Sequence, residues 1–117
     1  MKLIKVEIEA DDRTLDSDLM GTSSVSVGQS FSMQGGAIVT YRGRTAETDL
    51  AVPQKIELTI SFGPGVAYGL TAEWLFDRLK GRARTLTVNR SETQIEKDEI
   101  RRVFEETLRQ DERSFSK

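Results

Sequence analysis

The hydrophobic period changes in the middle of the chain, and this change constrains the fold more than any other feature. Over Ile56–Phe62, apolar residues alternate with polar ones, the period of two expected of a strand with one face on a core. Over residues 64–80 the apolar residues follow a period near 3.6, which is typical of an amphipathic helix. Residues 85–89 then predict another short strand. The stretch from Ile56 to Arg90 therefore predicts a strand, a helix and a second strand in succession.

Glycine and proline mark the junction between the first of these strands and the helix. In Gly63-Pro64-Gly65, the fixed φ of proline suits the first helical position and the glycines permit a sharp turn. A glycine turn before a helix can also bind phosphate. The sequence lacks both the GK[ST] ending and the G-x-G-x-x-G spacing of such loops. We therefore expect a simple chain reversal at Gly63-Pro64-Gly65, with anion binding as the alternative. At the other end, Gly81 is expected to terminate the helix.

The apolar arc of the predicted helix is wider than one sheet can cover. Leu75 and Leu79 would face the sheet together with Tyr68 and Ala72. Leu70 and Trp74 then lie on one flank of the arc, and Phe76 lies on the other. We predict that Leu70, Trp74 and Phe76 are anchors for a second helix or another protein chain. The alternative is that Trp74 is an ordinary core residue.

Regions before and after this unit predict further strands. Residues 2–10 alternate as a half-buried strand. Residues 24–42 predict a β-hairpin around Gly35-Gly36, because paired glycines can supply positive φ at both turn positions. Its alternative is a Ser/Gly loop that orders only on binding. Residues 89–94 predict a polar turn that could be the tip of a small hairpin.

The acidic stretch 11–21 raises the question of a metal site, because hard cations prefer clustered carboxylates. A calcium-binding EF-hand loop that starts at Asp16 would place Met20 at its fifth position and Val27 at the position of its bidentate glutamate. The spacing therefore excludes an EF-hand. We predict a solvated acidic loop or a short helical turn and no metal, with a weak cation site of another kind as the alternative.

A second helix is predicted from about Lys97 to Asp111. Apolar residues recur there on one stripe, and the other sides carry opposite charges four residues apart. The residues of the stripe are Ile100, Val103, Phe104, Thr107 and Leu108. We predict one narrow buried face, with solvent on all other sides.

The only basic cluster lies between residues 78 and 90. Such a cluster can hold phosphate or an RNA backbone. The chain has a net charge of -2, however, and no aromatic residues are interleaved with the arginines, so a strand edge guarded by arginine is the favoured interpretation. Binding of phosphate or nucleic acid is the alternative function. Its candidate residues are Arg78, Lys80, Arg82, Arg84 and Arg90.

Missing residue types exclude most familiar chemistry. The chain has no histidine and no cysteine, so it has no imidazole base, no thiolate nucleophile, no disulfide and no Cys/His zinc site. No apolar run approaches the roughly 20 residues of a membrane span. We therefore expect a cytoplasmic protein with no catalytic residues and no cofactor.

The order of elements in the C-terminal half resembles that of a group of bacterial proteins. The run Gly69-Leu70-Thr71-Ala72-Glu73-Trp74-Leu75-Phe76-Asp77-Arg78-Leu79-Lys80-Gly81-Arg82 precedes a strand, and Ile95–Ile100 then opens a helix. This order resembles a pattern in small accessory proteins of bacterial conflict and defence systems. The resemblance implies a bacterial or phage origin and an accessory, protein-binding role. In some of these proteins the helix is apolar enough for a membrane, whereas here Glu73 and Asp77 interrupt it.

Together these patterns predict one α+β domain over residues 1–112 and a frayed tail over 113–117. The predicted order is β-(ββ)-β-α-β-α, a mixed sheet of four or five strands with two helices on one face. The predicted function is that of a non-enzymatic interaction module. Its partner would be another protein or a second copy of itself, not a membrane, and the net acidic charge disfavours nucleic acid.

Overall fold

An antiparallel sheet with helices on one face is the framework of this protein. The computed structural model describes residues 2–12, 14–33, 36–45, 54–63 and 68–115, with side chains from Leu3 to Arg109 within these ranges. The strands are β1 (Lys2–Ala10), β2 (Ser30–Ser32), β3 (Ile38–Thr45), β4 (Gln54–Phe62), β5 (Ala83–Val88) and β6 (Ser91–Thr93). The helices are α1 (Leu15–Met20), α2 (Tyr68–Leu79) and α3 (Lys97–Phe115).

The order of the strands in the sheet is β2-β3-β4-β1-β5-β6. The central pair is β4 with β1, which are antiparallel over their full lengths, from Lys2 opposite Phe62 to Ala10 opposite Gln54. Strand β5 pairs antiparallel with the other side of β1. The two strands that flank α2 in the sequence, β4 and β5, are therefore not neighbours, because the N-terminal strand lies between them.

The core lies between the sheet and the helices. On β1 and β4 alternate residues are buried, as a period of two requires, and their neighbours lie on the polar face of the sheet. Phe62 joins the layers, since its ring contacts Tyr68 of α2 at 5.4 Å and Phe104 of α3 at 5.8 Å between centroids. The fully buried side chains include Ile4, Val6, Ile8, Ile56, Leu58, Ile60, Leu75, Leu79, Leu86, Ile100 and Phe104.

Helix α3 has the single buried stripe that its sequence predicts. Ile100, Phe104 and Leu108 are buried, and Val103 and Thr107 are half-buried beside them. On the solvent side the guanidinium of Arg102 lies 2.7 Å from Glu106, one of the predicted pairs, and it also contacts Glu99. The backbone is helical as far as Phe115, beyond residue 112.

The predicted hairpin over residues 24–42 is present as β2 and β3. Phe31 pairs with Val39, and the Met33 N–H donates to the Ala37 carbonyl at 2.7 Å. Strand β2 is only three residues long, because the small polar residues before it add little to a core. Gly35 lies outside the described residues.

The second hairpin has a turn of two residues between β5 and β6. Asn89 and Arg90 have φ values of 46° and 71°, the left-handed conformation that two-residue hairpin turns require. The turn is attached to β1, since the Asn89 side chain accepts the Lys5 N–H at 2.7 Å and the Asn89 N–H donates to the Lys5 carbonyl at 2.8 Å. Asparagine suits both demands because it tolerates positive φ and carries an acceptor.

The predicted α+β class is confirmed, with differences in detail. There are six strands where four or five are predicted, three helices where two are predicted, and antiparallel pairing where a mixed sheet is predicted. Strand β6 and helix α1 are too short, at three and six residues, for a hydrophobic period to reveal them. Helix α1 is the short helical turn predicted as one alternative for residues 11–21. The predicted start of α2 at Pro64 lies outside the described residues.

Within the described part of the chain, no helix combines the length and the apolar character that crossing a membrane needs.

Candidate interaction surface

The two flanks of α2 have different surroundings. Ala72, Leu75 and Leu79 form its buried face. Leu70 and Trp74 are four residues apart, so they share the flank that faces the β2–β3 hairpin. The Trp74 ring meets the edge of Phe31 from β2, with centroids 5.6 Å apart and planes at 67°. Trp74 is therefore half-buried, held on one side by an aromatic partner from another element.

Leu70 continues this flank into solvent, where 47% of its surface is exposed. Among the described residues the other exposed large hydrophobic side chains are Leu3, at 54%, and Val27, at 70%. We call the surface formed by Phe31, Leu70 and Trp74 the apolar ridge. Scattered single hydrophobic residues are normal on a protein surface, whereas adjacent ones mark an interaction site.

Phe76 lies on the opposite flank of α2, beside the start of α3. The ammonium groups of Lys80 and Lys97 lie 5.6 and 6.0 Å from its ring centroid. Lys97 also reaches Glu73 at 3.9 Å, and Lys80 reaches Asp77 at 3.7 Å. Lysine side chains therefore cover Phe76, so the structure separates this predicted anchor from Leu70 and Trp74.

The ridge borders a long segment without charge. From Gly21 to Tyr41 the sequence contains no Asp, Glu, Lys or Arg, although 31% of the whole chain is charged. This segment supplies β2, Phe31 and the exposed Val27. Phe31 is a surface residue that the sequence interpretation missed, because the segment was assessed for strand pattern alone. The absence of charge over residues 21–41 was the sequence feature that could have indicated Phe31 as a surface residue.

Arg82 and Arg84 of the predicted basic cluster bind the acidic stretch 11–21. The Arg82 guanidinium lies 2.7 Å from Asp12 and 2.6 Å from Asp18. Arg84 lies 2.8 Å from Asp11. The carboxylates that were predicted to be solvated are thus counter-ions for arginines about 70 positions later, since Asp12 and Arg82 are 70 residues apart.

The pKa of Asp12 reflects this pairing. The hydrogen bond from Arg82, followed by bonds from the backbone N–H and hydroxyl of Thr14, lowers the pKa of the Asp12 carboxyl to about 2. Each of these donors favours the ionised form. The acidic loop and the arginines therefore act as one neutralised unit that attaches the end of β1 to the start of β5.

Of the remaining basic candidates, Arg78 lies near this unit, whereas Lys80 and Arg90 lie elsewhere. Arg78 is exposed on α2 near Ser17 and Asp18 of α1, and Lys80 covers Phe76. Arg90 lies in the turn after Val88, at the opposite end of β5 from Arg82 and Arg84. The structure therefore does not bring the five basic residues into one patch.

A partly buried polar cluster joins α1 to the sheet at the same end as Asp12, with Tyr41 and Asp16 buried and Arg44 exposed. The register of β3 shifts at Gly43, where φ is 134°, so Arg44 follows Tyr41 onto the face that carries the helices. The Tyr41 hydroxyl donates to Asp16 Oδ2 at 3.1 Å, and Arg44 lies 3.5 Å from the same oxygen. Asp16 Oδ1 accepts the Ser17 N–H at 2.8 Å. Both carboxylate oxygens are thus occupied, which favours a structural role.

Burial, followed by the charge and the hydrogen bond of Asp16, raises the pKa of the Tyr41 phenol to about 12. The phenol therefore stays protonated as a donor at neutral pH.

Among the described side chains no group of three acidic residues is placed to hold a metal ion.

No protein-family model, curated protein or solved structure matches this chain. The resemblance of residues 69–100 to accessory proteins of bacterial defence systems stays a prediction. The chemistry of the surface is therefore the basis for the function.

Proposed function

We propose that this protein is a small, non-enzymatic interaction module, an accessory component of bacterial or phage origin, which binds its partner through the apolar ridge. The observation that carries this proposal is the contact between Trp74 and Phe31, with the exposed Leu70 one helical turn from Trp74. The outward charged residues of α3 pair with each other, and Phe76 is covered by lysines. The ridge is a surface on which apolar side chains adjoin one another and remain partly exposed.

The ridge has the composition of a binding hot spot. Tryptophan and other large aromatic residues contribute most of the energy of protein interfaces. Burying the exposed half of a leucine contributes roughly 1 kcal/mol. The Trp74 side chain is already held against Phe31. Trp74 therefore loses little side-chain entropy when a partner covers it. These properties favour a partner with an apolar surface of its own.

The phosphate or nucleic-acid alternative has less support. A phosphate at Arg82 or Arg84 would have to displace carboxylates that lie between 2.6 and 2.8 Å from the guanidinium groups. Arg90 lies at the other end of β5. The charge available for an anionic partner is therefore divided and largely neutralised.

Leu70→Glu tests the proposal, with Leu3→Glu as its matched control. Both leucines are exposed, but Leu3 lies on the polar face of the sheet. The mass in solution of each full-length protein is measured by light scattering, alone and after co-purification from the native host. We expect Leu70→Glu to weaken association at least tenfold and Leu3→Glu to leave it unchanged, with unaltered circular dichroism for both. Equal behaviour of the two variants contradicts the proposal.

A further inference from the structure

We infer that the partner is a second copy of this chain, joined edge to edge through β2 in an antiparallel pairing centred on Phe31. Six strands from each copy would then form one continuous sheet of twelve. This inference rests on the proposed function, since it names the occupant of the apolar ridge and the way in which it binds.

Strand β2 offers backbone groups for such a pairing. Of the described strands it lies at one edge, with β3 on one side only. The Tyr41 N–H donates to the Gln29 carbonyl and the Met33 N–H donates to the Ala37 carbonyl, so residues 29, 31 and 33 direct their backbone groups toward β3. Because these directions alternate along a strand, Ser30 and Ser32 direct theirs outward. The edge can therefore add a strand without breaking a backbone bond between described residues.

This edge lacks two of the usual protections against pairing, charge and proline. Proteins guard exposed edges with lysine or other charges, with proline, or with very short strands. Strand β2 is short and follows a turn at Gly28, where φ is 92°. The residues on either side of it still bond across the hairpin, since the Gly28 N–H donates to the Tyr41 carbonyl and the Met33 N–H donates to the Ala37 carbonyl. Residues 21–41 contain neither a charge nor a proline. The opposite edge, β6, carries Glu92 and is preceded by Arg90. The unguarded edge is the one that we expect a partner strand to cover.

The sequence of β2 suits a second copy of itself. Ser30-Phe31-Ser32 reads the same in both directions, and a two-fold axis requires a surface that complements itself. An antiparallel pairing about Phe31 places Ser30 opposite Ser32 of the partner subunit. It also places Phe31 opposite Phe31 of the partner subunit, in the kind of pair whose side chains come closest. No like charges meet, because the segment has none.

The same pairing covers the apolar ridge. Phe31 points to the face that carries the helices and contacts Trp74 there, with Leu70 one helical turn away. Two ridges meeting at the axis would bury both tryptophans and both exposed leucines in one cluster. Cross-strand aromatic pairs add stability beyond hydrogen bonding. An extended peptide from another protein could use the same edge, and the experiment distinguishes this outcome.

Ser32→Pro is the direct test, measured by sedimentation velocity of the full chain over about a hundredfold range of concentration. Proline removes one outward N–H from β2 and leaves the bonds to β3 intact. Glu92→Pro is the matched control, since Glu92 is the central residue of β6, and its N–H should point outward because Val88 and Ser91 close the two-residue turn. We expect a wild-type dimer, at least tenfold weaker dimerisation for Ser32→Pro, and no change for Glu92→Pro.

Ser32→Lys is a second variant in case proline unfolds the hairpin. It adds the guard that natural edges carry at an exposed position, and we expect the same loss of dimer. A monomeric wild-type chain overturns the inference, even if Leu70→Glu still abolishes binding of another protein, in which case the proposed function stands. The inference is also overturned if Leu70→Glu dissociates the dimer but both Ser32 variants remain dimeric. In that case the apolar ridge associates without pairing of the β2 edges.

Discussion

Strands β2 and β6 are both three residues long and lie at opposite edges of the sheet, but they differ in chemistry. Around β2 the chain has no charge over residues 21–41, and the half-buried ring of Phe31 lies beside Trp74. Around β6 the neighbouring positions include Arg90, Glu92 and Glu96. The β6 edge thus carries charged residues that suit exposure to water, whereas the β2 edge carries none.

The contrast bears on where a chain with no histidine and no cysteine can bind a partner. On the β5 side, arginines and carboxylates neutralise each other, so their charges stabilise the fold rather than attract a ligand. On the β2 side, the Phe31 and Trp74 rings are in contact, and the segment that carries Phe31 has no charge. Two substitutions and a change of pH test whether the two sides of the sheet differ in this way.

The largest effect is expected from Trp74→Ala on the β2 side. Removing a half-buried tryptophan should lower the free energy of unfolding by about 2 kcal/mol, less than the 3–5 kcal/mol of a fully buried aromatic residue, and should also weaken dimerisation. Urea denaturation followed by circular dichroism gives the first quantity, and light scattering the second. Leu75→Ala, from the buried face of the same helix, should cost about as much stability but leave the folded protein's association unchanged. If Trp74→Ala destabilises without affecting association, Trp74 is ordinary core.

A smaller effect is expected from Arg82→Ala on the β5 side. It removes the guanidinium that binds both Asp12 and Asp18, and partly exposed ion pairs of this kind contribute up to about 1 kcal/mol. Urea denaturation should show a loss of that order and no loss of dimer. Arg90→Ala is the control, because Arg90 has no ion pair with any described side chain, and it should change stability by less than about 0.5 kcal/mol. Equal effects would mean that the ion pairs contribute nothing.

The smallest effect is expected from pH. The folded-state pKa of Asp12, about 2, lies below its ordinary value of 3.8. The stability that this pairing contributes is therefore present above pH 3.8 and is lost as the pH falls through about 2. Solvent screening limits it to roughly 1 kcal/mol or less. Thermal unfolding between pH 5 and pH 2 should show this loss in the wild type and a reduced loss in Arg82→Ala. The same slope in both proteins would assign the acid sensitivity to other carboxylates.

Much of the fold was accessible from local patterns. The alternation over residues 2–10 and 56–62 predicted the two central strands, and the stripe from Ile100 to Leu108 predicted α3, because periods of 2 and 3.6 are set by which side chains share a face. The hairpin at β2 and β3 followed from its glycines. The short elements α1 and β6 were predicted only as alternatives, a short helical turn and a small hairpin, since three to six residues hold too little pattern.

The candidate site was only half accessible. Leu70 and Trp74 were predicted as surface anchors from the width of the apolar arc on one helix. Phe31 was missed, because its contact with Trp74 spans 43 positions and depends on how the hairpin packs against α2. The arginine cluster was recognised, but its counter-ions were assigned to solvent, because nothing in a linear pattern shows that the end of β1 lies beside the start of β5.

The long strands and helices, their buried faces and the absence of histidine and cysteine chemistry could be read from the sequence, because each depends on residue type and short-range spacing. The tertiary structure alone decided that β1 separates β4 from β5 and brings Asp12 to Arg82. It also decided that Trp74 meets Phe31 while lysines cover Phe76. The physical reason is that burial and charge pairing join residues that are far apart in the chain. The same local pattern is compatible with many strand orders, and each strand order would bring different residues into contact.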